Sequence, residues 1–162
     1  MKITEENWTL LKQHYQKTIK TGACSIGTVD GQGMPNVTPI GSLVLTEKGR
    51  GFFFNVFCEL LSRNIANNPN ICVVYVNVGS FYWLKSLYKG RFVQPVGFKL
   101  LGKAGPKRAA TSEEVEAFRS RIKLLKPLKG YRLLWSDLSF VRDVELTDYF
   151  PVNAGKMTGM LG

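Results

Sequence analysis

The pattern of apolar and polar residues predicts three helices: one at the start of the chain, a short one after residue 59 and a long one after residue 110. Trp8, Leu11 and Tyr15 recur three and four positions apart, as on the buried face of an amphipathic helix that opens the fold. A capping box at residues 111–114 begins a second long helix, and a shorter helix is predicted at Leu60–Asn67.

Short runs of β-branched and aromatic residues predict strands between these helices. Residues 79–91, aromatic and basic, are compatible with a helix or a loop. About six closely spaced strands predict an α+β fold, a small and predominantly antiparallel β-barrel with a leading helix and peripheral helices. This single domain is expected over residues 1–146, with an irregular, Gly-rich tail over residues 147–162. The predicted strands are Ala23–Val29, Asn36–Leu45, Phe52–Phe57, Ile71–Val78, Phe92–Ala104 (ended by Gly105-Pro106), and a final strand or bent pair at Tyr131–Trp135 and Ser139–Leu146.

The second predicted strand contains residues that suit a binding site better than a core. Pro39 has no amide hydrogen to give to a neighbouring strand, so its nitrogen must face an edge, a bulge or a ligand. Gly41, two residues later, allows another group to approach the backbone closely. The turn at residues 30–33 predicts a hairpin that joins this strand to the first one.

The composition is that of a globular protein without a membrane span. The 162 residues are 44% hydrophobic and 21% charged, no apolar run approaches the length of a transmembrane helix, and residues 1–20 are too polar for a signal peptide. Cys24, Cys58 and Cys72 lack metal-ligand spacing, and His14 is the only histidine. We therefore expect reduced thiols, no metal site, no membrane partner and a cytoplasmic location.

The net charge of +10 is unevenly placed along the sequence. No aspartate or glutamate occurs between Leu60 and Ser112, a stretch that carries eight lysines and arginines. Such a stretch is either a solvated basic surface or an electrostatic footprint for an anion: a phosphorylated cofactor, a nucleic acid or an acidic substrate.

Three motifs in a fixed order resemble a known family. Residues 30–41 read Asp-Gly-Gln-Gly-Met-Pro-Asn-Val-Thr-Pro-Ile-Gly, the aromatic strand Phe52–Phe57 follows, and Ser62–Pro69 reads Ser-Arg-Asn-Ile-Ala-Asn-Asn-Pro. In this order the motifs resemble the split-barrel flavoproteins related to pyridoxamine 5′-phosphate oxidase. The resemblance is good over residues 4–78 and looser over residues 92–146. It implies a split β-barrel homodimer that holds FMN at its interface and acts as an oxidoreductase on an unidentified small-molecule substrate.

The resemblance also implies which residues hold the cofactor. In that family the flavin ring packs on the second and third strands, and basic and hydroxyl side chains beyond the third strand hold the phosphate. No residue is singled out as a general acid or base. Carried onto this sequence, the cofactor-binding residues are Thr38, Pro39, Ile40, Gly41 and Ser42 on the second strand, Asn55, Val56 and Phe57 on the third, and Ser62, Arg63 and Asn64 beyond it.

Two positions depart from the family pattern. Leu61 stands where many relatives have a lysine or histidine. Glu59 stands near a position where relatives commonly have a hydroxyl side chain, and its negative charge is unfavourable beside a phosphate. The C-terminal tryptophan and arginine motifs that hold a pyridoxine substrate have no match, so the resemblance supports flavin binding and not vitamin B6 oxidation. Either Arg63 binds the phosphate, or the contacts come from Lys85, Lys99 or Lys103.

Other functions remain compatible with the sequence. Relatives of this fold bind a deazaflavin or haem in the same cleft. A nucleic-acid-binding barrel would use the basic aromatic segment 81–108 for stacking, but it leaves the motifs around Pro39 and at Ser62–Pro69 unexplained. A redox-silent sensor would keep only the fold.

Two further expectations concern assembly and the tail. Four phenylalanines within Phe52–Phe57 offer more apolar surface than one small barrel hides, so a homodimer is expected to cover the outward-facing ones. The segment from Pro151 to Gly162 is expected either to lie over the surface beside the flavin, where it aids turnover or cofactor retention rather than folding, or to be a frayed terminus.

Overall fold

The computed structural model of the chain describes residues 1–20 and 24–158, which form seven strands and five helices. The helices are α1 (Glu5–Thr18), α2 (Glu59–Asn67), α3 (Ser80–Lys89), α4 (Ser112–Arg121) and α5 (Lys129–Trp135). The strands are β1 (Cys24–Val29), β2 (Pro35–Ile40), β3 (Val44–Leu45), β4 (Arg50–Phe54), β5 (Asn70–Val76), β6 (Gly97–Ala109) and β7 (Phe140–Pro151).

The seven strands form one antiparallel sheet in the order β2-β1-β5-β6-β7-β4-β3. β2 and β3 are the two edges of this order, yet only residues 41–43 join them. A flat sheet of this width would hold its edges roughly 29 Å apart, whereas a link of that length spans at most about 14 Å. The sheet must therefore curl until its edges approach, which gives the split β-barrel that the resemblance implies.

Two apolar cores hold the barrel and its helices together. The barrel interior is filled by side chains that alternate along the strands, and α2 adds the fully buried Leu61 to it. A smaller core lies outside the barrel, where α4 covers β4 and β7. Members of the inner core include Ile26, Phe53, Val73 and Leu100, and the outer core consists of Phe52, Phe54, Phe118, Leu138 and Val141.

Three of the four phenylalanines expected to offer surface to a second subunit are buried within one chain, which corrects that expectation for Phe52, Phe53 and Phe54. Phe53 lies in the barrel interior, while Phe52 and Phe54 belong to the outer core. The Phe54 ring lies 5.2 Å from that of Phe118 in α4, between centroids. Phe57, beyond the strand, is 77% exposed.

The predicted strand Asn36–Leu45 is two strands, because the chain leaves one edge of the sheet at Ile40 and joins the other at Val44. Pro39 lies on β2, an edge strand of the sheet, and pairs with Ser25 of β1. An edge strand tolerates a residue without an amide hydrogen better than a central strand does. The predicted hairpin of the first two strands is confirmed.

The C-terminal third differs most from the sequence prediction. β6 continues through Gly105-Pro106 to Ala109, because a shift of register against β7 accommodates the proline. Residues 131–135, predicted as strand, lie in α5, since a short apolar run has no distinguishing period and Trp135 packs on Phe118. Residues 147–151, predicted as irregular, extend β7 along β6.

α2 and α3 lie at opposite ends of β5, because α2 precedes this strand and α3 follows it. The seven residues of β5 span about 23 Å. The tail lies at the α3 end, where the Phe92 amide donates to the Met157 carbonyl at 3.1 Å and the Val152 amide to the Gly97 carbonyl at 2.8 Å. Within the described part of the chain, no helix is long and apolar enough to cross a membrane.

Candidate functional site

The chain turns sharply between β4 and α2, and this turn carries three of the implied cofactor residues. Phe57 has a φ of 54°, a left-handed conformation that is strained for a large side chain. The backbone N–H of Asn55 donates to the Phe140 carbonyl at 3.0 Å, and the Cys58 thiol donates to the Val56 carbonyl at 2.9 Å. These bonds fix the turn against β7 and beside the first residues of α2.

A buried arginine of β7, Arg142, links this turn to α2. Its Nε donates to Asn55 Oδ1 at 3.1 Å, its Nη2 to Ser62 Oγ at 2.8 Å, and its Nη1 to the Gly105 carbonyl at 2.9 Å. These partners are all neutral, and no carboxylate pairs with Arg142 among the residues that the structure describes. Burial lowers the pKa of Arg142, but a guanidinium stays charged at neutral pH. A positive charge without a counterion therefore lies behind the turn.

Arg108 shows how the same side chain behaves when it is paired. Its Nη2 lies 2.6 Å from a carboxylate oxygen of Glu114 and 2.6 Å from one of Asp143, which joins β6 to α4 and β7. The hydrogen bonds raise the pKa of Arg108 and lower the pKa of both carboxyls. Arg108 therefore stabilises the contacts among β6, β7 and α4 through its ion pairs, whereas Arg142 has no acidic partner among the described residues.

The hydrogen bonds of Arg142 also fix the orientation of the Asn55 amide. A guanidinium has only donors, so the Asn55 atom that faces Nε must be the oxygen. The same oxygen accepts a bond from the Ser62 hydroxyl at 3.1 Å. The side-chain nitrogen of Asn55, Nδ2, then faces away from Arg142, and within residues 1–20 and 24–158 it has no hydrogen-bond partner. It is available to an acceptor on a ligand.

A cleft of about 380 Å³ opens beside these groups, a volume typical of small-molecule sites. Lys107 is the cation at its wall, with Nζ 4.0 Å from the centre of the Phe140 ring. Two carboxylates, Glu59 and Asp137, also line it, and hydrogen bonds from Ser139 lower the pKa of Asp137. The full lining, called the α2 cleft below, is Asn55, Val56, Phe57, Cys58, Glu59, Ser62, Lys107, Leu134, Ser136, Asp137 and Phe140.

The other two implied residues of α2 lie on different faces of the helix. Arg63 is exposed and, in the described part of the chain, has no hydrogen bond or ion pair. Asn64 is 1% exposed and its amide donates to Thr28 Oγ1 of β1 at 3.1 Å, so its side chain faces the barrel and not the cleft. Leu61 is fully buried, which explains why this position holds no cation.

The implied residues of the second strand form a separate group at the sheet edge, called the edge group below. Ser42 joins the two groups, because its hydroxyl accepts from the Phe54 amide at 3.1 Å and donates to the Phe54 carbonyl at 3.3 Å. Arg121 of α4 holds the same link through the Leu43 carbonyl at 2.7 Å. The remaining members, outside the cleft lining, are Thr38, Pro39, Ile40 and Gly41, of which Ile40 is buried.

The sequence profile of the pyridoxamine 5′-phosphate oxidase family matches residues 11–151, most of the chain. The chain belongs to this family. The matched range contains the edge group, the α2 cleft, Arg63 and Arg142. No curated protein sequence matches the chain.

Solved structures agree with this member of the pyridoxamine 5′-phosphate oxidase family in fold. An FMN-binding protein from Syntrophomonas wolfei subsp. wolfei has a TM-score of 0.61 at 13% identity, with 92% of this chain and 90% of that chain covered. HupZ of Group A Streptococcus has a TM-score of 0.58 at 18% identity, with coverage of 91% and 98%. HutZ, the haem storage protein of Vibrio cholerae, has a TM-score of 0.51 at 16% identity, with coverage of 87% and 94%. At these identities the likeness establishes the fold alone.

The α2 cleft of this family member fits FMN, and it fits the ring better than the phosphate. Val56, Phe57 and Phe140 provide apolar walls, and the Asn55 amide provides a directed donor. Lys107 lines the cleft, and Arg63 lies outside the lining on α2, next to Ser62. Neither has a carboxylate partner in the described residues, so both are available to a phosphate, while Glu59 and Asp137 oppose it. Lys85, Lys99 and Lys103, the other sequence candidates, do not line the cleft.

Haem fits the described residues less well. His14 Nε2 lies 2.8 Å from the Pro95 carbonyl and Nδ1 lies 3.4 Å from the Thr18 hydroxyl, so both ring nitrogens are engaged. Burial raises the pKa of all three thiols, which disfavours the thiolate that a metal requires. For a metal ion held by protein ligands alone, a separate case from haem, no group of three or more possible ligands occurs over residues 1–20 and 24–158.

Sequence reasoning missed Arg142, Lys107 and Phe140. A signal for Arg142 was present, because it shares an inward-facing register with the buried Val144 and Leu146 of β7. A charged residue at an interior position of a strand is rare unless it has a specific role. Lys107 and Phe140 gave no comparable signal, since β6 and β7 bring them together only in the folded chain.

Proposed function

We propose that this chain binds FMN in the α2 cleft and acts as an oxidoreductase on a small-molecule substrate. The observation that carries the proposal is the Asn55 amide, held by Arg142 and Ser62 with its nitrogen free to bind a ligand acceptor beside apolar walls. FMN supplies hydride or electron transfer when bound, and the chain supplies binding and orientation.

The roles of the individual residues follow from their positions. Asn55 donates to an acceptor at the polar edge of the ring, and Val56, Phe57 and Phe140 pack against its faces. Arg63 and Lys107 supply positive charge to the phosphate. Arg142 does not line the cleft; its unneutralised charge and its bond to Asn55 act from behind the wall.

The absorption spectrum of the purified protein tests the proposal directly. We expect a yellow protein whose released cofactor is FMN rather than FAD, or an apo-protein that becomes yellow when FMN is added. A colourless protein that takes up no FMN contradicts the proposal. A Soret band in place of a flavin spectrum would show that the protein binds haem instead of FMN.

A pair of variants tests whether the phosphate lies beside α2. Arg63→Ala removes a charge-assisted contact of about 1.5–3 kcal/mol, so FMN affinity should fall about tenfold or more while riboflavin affinity changes little. Glu59→Gln removes the opposing carboxylate and should strengthen FMN binding, again relative to riboflavin. Arg119→Ala, which removes an exposed charge from α4, is the matched control. Equal weakening of both ligands by Arg63→Ala would place the phosphate elsewhere.

A further inference from the structure

α3 is anchored to the barrel end by one of its faces. The Tyr82 hydroxyl donates to the Gln94 carbonyl at 2.8 Å, and Trp83 Nε1 donates to the Asn77 carbonyl at 2.6 Å. Both rings pack on Phe92, with centroids 5.7 Å and 5.3 Å away. These contacts fix the rotation of the helix, so the direction of its opposite face is set.

The face that α3 turns to solvent is apolar. Phe81, Leu84 and Tyr88, spaced as neighbours along one side of a helix, are 78%, 68% and 92% exposed. Leu87, beside them, is 59% exposed. A surface helix normally turns polar residues to solvent, so an apolar outer face in addition to the packed inner one is unusual. An exposed apolar stripe of this kind marks an interaction site.

Unpaired cations border the stripe. Lys85 and Lys89 lie one turn apart on α3, and Arg91 follows the helix directly. None of the three forms an ion pair in the described part of the chain. Since the sequence has no acidic residue between Leu60 and Ser112, nothing nearby along the chain offsets their charge. The surface therefore combines apolar, aromatic and positively charged groups, and its complement is apolar and anionic.

We propose that this face of α3 docks on the surface of an anionic lipid bilayer. Phe81, Leu84 and Tyr88 would enter the boundary between headgroups and acyl chains, and Lys85 and Lys89 would bind lipid phosphates. A second copy of the chain is a poorer occupant, because a two-fold contact would bring the same cations against each other. Docking of this kind needs no spanning helix, so the absence of a long apolar run in the sequence does not exclude it.

This docking leaves the α2 cleft accessible. α3 and α2 lie at opposite ends of β5, about 23 Å apart along the strand. The inference does not rest on FMN binding, and each can fail without the other.

Vesicle co-sedimentation of the full chain tests the docking. We expect binding to vesicles of phosphatidylcholine mixed with phosphatidylglycerol, weakening with salt, and much less binding to phosphatidylcholine alone. The double variant Phe81→Ser/Leu84→Ser should lose at least about tenfold in affinity because its apolar contacts with the acyl chains are removed. The matched control is Leu124→Ser/Leu128→Ser, two leucines that are 92% and 60% exposed elsewhere.

A charge pair separates specific docking from the general attraction of a basic protein. Lys85→Gln/Lys89→Gln should weaken binding to the anionic vesicles about fivefold for each lysine, and Lys123→Gln/Lys126→Gln, with the same net charge, should not. Equal losses in both pairs, or no vesicle binding by the parent chain, overturns the proposal. So does a single-stranded oligonucleotide that binds in a Phe81- and Tyr88-dependent way, or a dimer that the Phe81→Ser/Leu84→Ser variant converts to monomer.

Discussion

At the scale of single residues, Arg142 joins the fold to the cleft. It joins β7, β6, the β4–α2 turn and α2 through neutral acceptors on three residues, Asn55, Ser62 and Gly105. The guanidinium of arginine is planar and has five N–H donors, so one side chain can donate to several acceptors at once, which lysine cannot do in the same geometry. Losing it would remove a donor from each of these half-buried acceptors, and an acceptor left unsatisfied costs more than the bond itself contributes.

Arg142→Met should therefore destabilise the protein by about 2–3 kcal/mol, as judged by urea denaturation. Arg142→Lys should recover only part of this loss, since a point charge on a flexible stem cannot span the same acceptors. Both variants should also weaken flavin binding, because the Asn55 amide is no longer oriented. Arg119→Lys is the control for an exposed arginine, and wild-type stability in Arg142→Lys would contradict the assignment.

His14 makes stability depend on pH. Burial chiefly lowers its pKa below 6.5, so the folded protein prefers the neutral ring and the unfolded chain binds the proton more readily. The contribution to stability is complete above pH 6.5 and is lost as the pH falls from there through the folded-state pKa. In His14→Gln the free energy of unfolding should change less over this window. An unchanged slope in the variant would assign the pH dependence to another group.

At the scale of the elements, the long strands β6 and β7 approach each other closely at one glycine. A Cβ at Gly102 would overlap the backbone of Glu145 and Leu146 on β7, whereas at Gly105 the nearest atom would be 3.7 Å away. Gly102→Ala must push the two strands apart and should cost about 1–3 kcal/mol or more. Gly105→Ala, in the same strand, should change the midpoint of thermal unfolding little. Equal midpoints for the two variants would contradict this packing.

Elements with a strong local pattern could be predicted from the sequence, and those decided by tertiary packing could not. The β-branched run of β5 and the capping box of α4 carry their structure locally. The link at residues 41–43 and the helix α5 depend on barrel closure and on Trp135 packing, which no local period records. The candidate site divides in the same way. Ser62 and Asn55 lie on a motif, whereas the cation behind them comes from a strand 80 residues later.

At the scale of the whole molecule, we propose that two copies pair through β2 and the β4–α2 turn. The phenylalanines of β4 no longer support this, since they are buried within one chain, but other side chains do. Met34, Val37 and Phe57 are 62%, 66% and 77% exposed, and β2 is an open sheet edge. Exposed edges of this kind are usually covered or blocked. A second copy would also cover the edge group of implied cofactor residues.

Light scattering at micromolar concentration should then show a homodimer. Val37→Asp places a charge in the proposed contact, where it would be desolvated, so it should shift the protein to monomer and speed flavin loss. Leu124→Asp, at a leucine that is 92% exposed on another surface, should remain dimeric and keep its flavin. The two changes remove similar apolar area and add the same charge, so a difference between the variants reports which of the two positions lies in the dimer contact. A parent chain that is monomeric with bound flavin would show that the α2 cleft is complete in one copy, and the edge group would then have no part in cofactor binding.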